Sequence, residues 1–335
     1  MIKSLANIVR WNNLIPFIFI LTFTACAVSD SEAPCQKVTG RFVEFFNRQD
    51  FRGIATLFKP NTLDHTQINR LTDNLLYIYA VAGEIRSVQF SGHDESRITY
   101  KCIHENTAMD IIFQVDDQCQ LQSYVINTHY PDSLPQLKRN TTSMSLPFDD
   151  EWYVEWGGPS LDQNYHNAHR NMQGAFDFAK KDQNGNFYRN GGRKNEDYYA
   201  FGQQVIAPCR ARVVTVIDGI EDNAVGRPSH LQTYGNLIVL ETVEKEFLLL
   251  AHLQKHSIVV KKGQTVDQGD PLARCGNSGY SNAPHLHFIV QNVADLFHST
   301  GAACYFDSIE VNGILRGDYS PVRGELVRNS AITGK

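Results

Sequence analysis

Beyond its opening segment, the 335-residue sequence has no apolar run of bilayer-spanning length. It also lacks any block of like charge, with 31 Lys and Arg against 36 Asp and Glu and a net charge of −5. A nucleic-acid partner leaves a basic stripe in a sequence, so that class of partner is excluded. The zinc-protease helix pattern His-Glu-x-x-His is missing too, since His104-Glu105 is followed by Ala at position 108. Finally, the second half has no long helical periodicity. What remains is ordinary globular composition, 42% hydrophobic and 20% charged, in a chain long enough for two cores.

The first thirty residues stand apart. Lys3 and Arg10 precede an apolar core at 14–25, which has the length of an export signal and is short for a bilayer span. Phe-Thr-Ala-Cys at 23–26 resembles the bacterial lipobox, in which the cysteine is diacylated and becomes the new N-terminus; Phe23 stands where the box usually has Leu. The expectation is an exported, periplasmic or cell-envelope lipoprotein anchored through Cys26, with plain secretion after cleavage near Ala25 or Ala27 as the alternative. Any membrane contact is then through that lipid alone. Of the remaining six cysteines, Cys35, Cys102 and Cys119 precede residue 130, and Cys209, Cys275 and Cys304 follow it. In an exported chain, disulfides persist. With three cysteines per half, either each half keeps a thiol or a bridge joins the halves; the pairing is left open.

A polar stretch with three prolines, 129–150, reads as a connector between a domain at 27–128 and one at 151–335. In the first domain Val38, Phe42, Val43, Phe45 and Phe46 recur at helical spacing. A short helix fits 51–58, and Ile68, Leu71, Leu75, Leu76 and Tyr79 form a third apolar face. From Gly83 onward the pattern alternates over 85–90, 97–104, 108–115 and 121–126, predicting a meander of strands. This small α+β domain, helices and then a curved antiparallel sheet, resembles the cone-shaped domains related to nuclear transport factor 2. It carries no catalytic constellation, and an accessory role in positioning or wall binding is expected. The second domain reads as mainly antiparallel all-β, with strands over 152–156, 205–207, 212–217, 236–243, 247–253, 257–260, 272–274 and 285–290.

Eight of the twelve histidines fall in this second half: His166, His169, His230, His252, His256, His285, His287 and His298. The last apolar run, Ala-Pro-His-Leu-His-Phe-Ile-Val at 283–290, puts His285 and His287 on one face of a strand and Leu286 and Phe288 on the other. Two imidazoles on one face make a metal or catalytic edge. A polar insertion at 180–197 reads either as a groove wall or as a solvated loop, and Tyr280 with the turn 276–279 as a substrate contact or simple turn chemistry.

Four motifs then occur in order: Asn-Tyr-His at 164–166, Ala-Phe-Asp at 175–177, Leu-Ala-His-Leu at 250–253, and Cys-Gly-Asn-Ser-Gly-Tyr-Ser-Asn-Ala-Pro-His-Leu-His-Phe at 275–288. Together they resemble the lysostaphin/LytM-type zinc metalloendopeptidases of bacterial cell walls, over about residues 150–310. The resemblance implies zinc ligands His166, Asp177 and His287, and a catalytic pair His252 and His285. The family usually spaces its first His and Asp as His-x-x-x-Asp; here ten residues lie between His166 and Asp177, so His169 stands as an alternative first ligand. Two imidazoles and one carboxylate would leave zinc a fourth position for water, the open arrangement of hydrolytic sites. The expected activity is hydrolysis of peptide cross-bridges in peptidoglycan. The alternative is an inactive wall-binding module or amidase activator of the same fold.

Overall fold

A computed structural model of the chain describes residues 35–94, 96–129, 133–229 and 232–330. The export signal, the Cys26 lipobox, His230 and positions 130–132 of the connector lie outside the described residues. No helix among the described residues is long and apolar enough to cross a membrane.

The first domain opens with three helices: α1 (Gln36–Asn47), α2 (Phe51–Ala55) and α3 (His65–Ala82). Helix α1 buries Val38, Phe42, Val43 and Phe46 on one face, as their spacing predicts. The Asp50 carboxylate caps α2 by accepting the Gly53 amide at 2.9 Å. Asp64 and Gln67 form a reciprocal capping box that starts α3, and Gly83, at φ 77°, ends it. Strands β1 (Ile85–Asp94), β2 (Arg97–His104), β3 (Ala108–Val115) and β4 (Leu121–Thr128) follow as an antiparallel meander in chain order. Their inward residues, among them Ile98, Tyr100, Cys102, Ile111 and Phe113, close over the helices. The Cys35–Cys119 disulfide ties the start of α1 to the β3–β4 turn across 84 residues. In the chain-entropy picture, closing a loop of that size stabilises by about 4–5 kcal/mol. Cys102, Cys209, Cys275 and Cys304 are buried thiols, so among the described residues no bridge joins the halves.

The second domain comprises β5 (Trp152–Trp156), β6 (Phe176–Ala179), β7 (Gln204–Ile206), β8 (Ala211–Ile217), β9 (Asn236–Thr242), β10 (Phe247–Leu253), β11 (Thr265–Val266), β12 (Pro271–Arg274), β13 (Leu286–Gln291), β14 (Gly301–Ala302), β15 (Phe306–Val311), β16 (Ile314–Tyr319) and β17 (Leu326–Asn329). The main sheet runs β11-β8-β9-β10-β13-β6-β5-β17-β15-β16, with β14 beside β13 and a separate β7–β12 ribbon; every pairing is antiparallel. Alternation sorts the central strands. Leu248, Leu250, Leu286, Phe288 and Val290 enter the core under the ribbon, while Leu249, Ala251 and Ile289 face the other way. His285 and His287 share that second face with Ile289, as predicted.

Three expectations differ from the structure. The connector is only partly a connector: Met144, Leu146 and Phe148 are buried in the second core, and Asn140 donates to the Thr142 and Tyr305 carbonyls at 2.9 Å. Ser143 and Ser145, which alternate with them and are not buried, give the stretch a polar look in sequence. Residues 257–260 form no strand; the Val259 amide pairs with the Leu272 carbonyl, and the Ser257 amide turns back to the Gln254 carbonyl. The strands after residue 300 extend the sheet beyond the 150–310 span of the motifs.

The domains meet along α3, which carries two apolar stripes. Leu71, Leu75, Ile78 and Ala82 face the first core, whereas Tyr77 and Val81 pack with Tyr234, Leu237, Leu249 and Ile289 on the outer face of the main sheet. Thr107 and His298 add a 3.1 Å hydrogen bond across the contact.

Candidate metal centre and active site

Strands β6 and β13 are in register with Asp177 opposite His287, so the two side chains rise from one face of the sheet as neighbours. The Asp177 Oδ1 lies 2.9 Å from His287 Nδ1 and 3.5 Å from His285 Nε2. His166 comes from the short helical turn Tyr165–Ala168, entered through Asn164. The Asn164 side-chain oxygen accepts from His166 Nδ1 at 2.8 Å, and its amide group donates to the Ala175 carbonyl at 2.8 Å. With Nδ1 donating, His166 Nε2 keeps its lone pair and faces Asp177 Oδ2 at 3.4 Å. One donor atom each from His166, Asp177 and His287 thus falls within 4.8 Å of the other two, and all three residues are buried. His169 is exposed and outside this group.

His252 reaches the site by a different device. Ala251 stands opposite His287, so strict alternation would turn His252 to the far face. A register shift between Leu250 and Leu253, with His252 at φ 59°, re-aims the ring instead. Its centroid lies 4.8 Å from that of His285 and 5.7 Å from that of His287. A left-handed conformation costs a non-glycine residue about 1–2 kcal/mol. Three bonds hold it: the His252 amide donates to the Tyr234 carbonyl at 3.0 Å, Gly276 N donates to the His252 carbonyl at 3.0 Å, and His252 Nδ1 donates to the Ser278 carbonyl at 2.8 Å. The 276–279 turn, read in sequence as a substrate contact or a plain turn, therefore supplies two of the three bonds that hold His252. His285 Nδ1 in turn donates to the Ala283 carbonyl at 2.9 Å.

The charges are coupled. Burial pushes the Asp177 carboxyl up, but the facing His285 and His166 rings and the hydrogen bonds from His285 and His287 overcome it and hold the group well below the usual carboxylate range. Burial lowers His166 to about 4 against the pull of Asp177, and keeps His252 well below an ordinary imidazole. For His285 burial also lowers, yet Asp177 prevails and raises it to about 9. The site therefore holds one fixed anion, two neutral rings and one ring that favours the cation.

Sequence reading missed several residues around this centre. Asn164 sat inside a motif without an assigned role. Tyr165 places its hydroxyl 3.4 Å from Asp177 and its ring centroid 4.1 Å from that of His166. Glu155, raised by burial, feels both His285 and Asp177 from β5; a lone glutamate in an apolar strand was its only signal. The 180–197 insertion is pinned beside β5, with Lys181 Nζ 3.2 Å from the Tyr153 ring centroid and Asp197 taking the Arg193 and Lys194 amides. Tyr280 is half-exposed at the rim, its amide bonded to the Thr233 carbonyl.

His166, Asp177 and His287 form a group that could hold a metal ion, with His252 and His285 beside it. The sequence model of peptidase family M23 matches residues 196–298. No curated protein matches the chain. Among solved structures, the catalytic domain of the antimicrobial peptidase lysostaphin from Staphylococcus simulans is 20% identical, covering 46% of this chain and 88% of that one at a TM-score of 0.27. A zinc-containing peptidase from Vibrio cholerae is 16% identical, with 70% and 91% covered and a TM-score of 0.30. A putative M23 peptidase from Pseudomonas aeruginosa is 15% identical, with 65% and 74% covered and a TM-score of 0.29.

Proposed function

We propose that this chain is a zinc-dependent endopeptidase that hydrolyses the peptide cross-bridges of bacterial peptidoglycan. The observation that carries the reading is the convergence of His166, Asp177 and His287 beside His252 and His285. Two imidazole nitrogens and a carboxylate oxygen, buried and with the carboxylate held anionic, suit zinc and would leave a position open to water. When bound, zinc supplies Lewis acidity toward a scissile carbonyl and makes water a stronger acid. The remaining work belongs to the side chains. Asn164 fixes the His166 tautomer. His252, neutral by burial and donating through Nδ1, offers Nε2 as a base for the proton of the attacking water. His285, its Nδ1 donating to the Ala283 carbonyl and its Nε2 turned toward the metal group, would donate toward the developing oxyanion and then to the leaving amine.

The export signal and lipobox assign the protein to the cell envelope, held at the membrane through acylated Cys26. The first domain serves there as an accessory module. Retention of every ligand and both catalytic histidines weighs against the inactive wall-binding alternative.

Purified residues 27–335 are expected to solubilise peptidoglycan, to stop on addition of a chelator, and to recover with zinc. His287→Ala should abolish the activity. A wild-type protein that binds zinc yet leaves peptidoglycan intact would overturn the enzyme reading, and product analysis identifies the bond cut. Labelling with a fatty acid, lost in Cys26→Ser, tests the anchor.

A further inference from the structure

His252 holds its left-handed conformation only as firmly as its three anchors hold it, and one of them, the Tyr234 carbonyl, belongs to a residue wedged between the domains. On one side the backbone at Gly235 is seated directly on the 278–279 turn: a Cβ at Gly235 would meet the Ser278 carbonyl carbon at 2.4 Å, and one at Gly279 would meet Gly235 N at 2.3 Å. On the other side stands α3 of the first domain. Tyr77, itself buried, packs in one cluster with Tyr234. The Tyr234 ring lies 6.0 Å from that of His287, and its hydroxyl accepts from Asn171 at 3.1 Å. The chain of contact runs from the packed Tyr77 ring to Tyr234, whose carbonyl accepts from the His252 amide, crossing from one domain to the other in two steps.

We propose that Tyr77 is a positioning residue for His252, and that the first domain, through α3, clamps the strained half of the catalytic pair in place. The catalytic part of this proposal rests on reading His252 as an active-site base, whereas the clamp itself is a statement about backbone order. If Tyr77 were only interdomain packing, its loss would loosen α3 without singling out the His252 amide. A second interdomain bond, between Thr107 and His298, touches neither Tyr234 nor His252 and provides the control.

The test uses the full chain from residue 27, loaded with zinc, in which amide hydrogen exchange is resolved at His252. Tyr77→Ala should speed exchange at that amide about tenfold, and Tyr77→Leu, which keeps part of the packing, about threefold. Thr107→Val should leave it within about twofold of the native rate. In peptidoglycan hydrolysis, Tyr77→Ala should lower kcat about tenfold with KM nearly unchanged, since alignment of the base and not substrate binding is lost. Native exchange at His252 in both Tyr77 variants overturns the clamp. Should Tyr77→Ala fail to fold, Tyr77→Leu decides alone by the same readout. If the protein proves not to be a peptidase, the exchange measurement still decides the clamp, so the two readings fail separately.

Discussion

His285 and His287 sit two residues apart on one strand face, yet they meet different partners. His287 lies against Asp177 and within the donor group, while His285 stands outside that group, with Nε2 3.5 Å from Asp177 Oδ1. The two alanine variants should therefore separate. His287→Ala should lose zinc, measured by metal content after dialysis. His285→Ala should retain zinc and lose about a hundredfold to ten-thousandfold in kcat. Asn164 acts through His166, so Asn164→Ala should weaken zinc binding about 10–100-fold in chelator competition while leaving the fold intact. At this scale alternation alone made the shared face of His285 and His287 legible, whereas His166 and Asp177 were pointed to only by the family resemblance. The orienting groups, Asn164, Tyr234 and Ser278, were not, because their roles depend on backbone carbonyls and side-chain oxygens brought together from distant segments.

Among the elements, the helices and strands of the first domain follow their apolar spacing closely, from the α1 face of Val38, Phe42 and Phe46 to the alternation of Ile98, Tyr100 and Cys102. Two features escaped that logic. The bulge at Leu250–Leu253 reverses the face of His252, and nothing in Leu-Ala-His-Leu announces it; only the motif pointed to the histidine. The segment carrying Met144, Leu146 and Phe148 hides its apolar alternation among serine and proline. Phe148 stacks on Trp152 with centroids 4.8 Å apart and is fully buried. Phe148→Ala should destabilise the protein by about 3–5 kcal/mol in denaturant unfolding, which a free connector would not. A loss under about 1 kcal/mol would return this segment to the linker.

For the molecule as a whole, the two halves handle cysteine differently. The first domain spends its oxidised pair on Cys35–Cys119, whereas the second keeps Cys209, Cys275 and Cys304 buried as thiols. Burial, with the Glu246 carboxylate nearby, raises Cys209 to about 12, and burial likewise raises Cys275 and Cys304. Buried thiols of raised pKa present little thiolate to exchange. Reductant should accordingly weaken the first domain by about 4–5 kcal/mol, followed by denaturant titration with and without it, while zinc stays bound to the native second domain. The odd cysteine count per half was visible in sequence, but which pair closes depended on α1 and the β3–β4 turn meeting in space.

The positive φ of His252 has a consequence for how this site can vary. The residues that its backbone would accept most readily are glycine and asparagine, and neither offers an imidazole to take a proton. Chain preference and chemistry thus pull in opposite directions at one position, and substitutions chosen there for robustness would select against turnover.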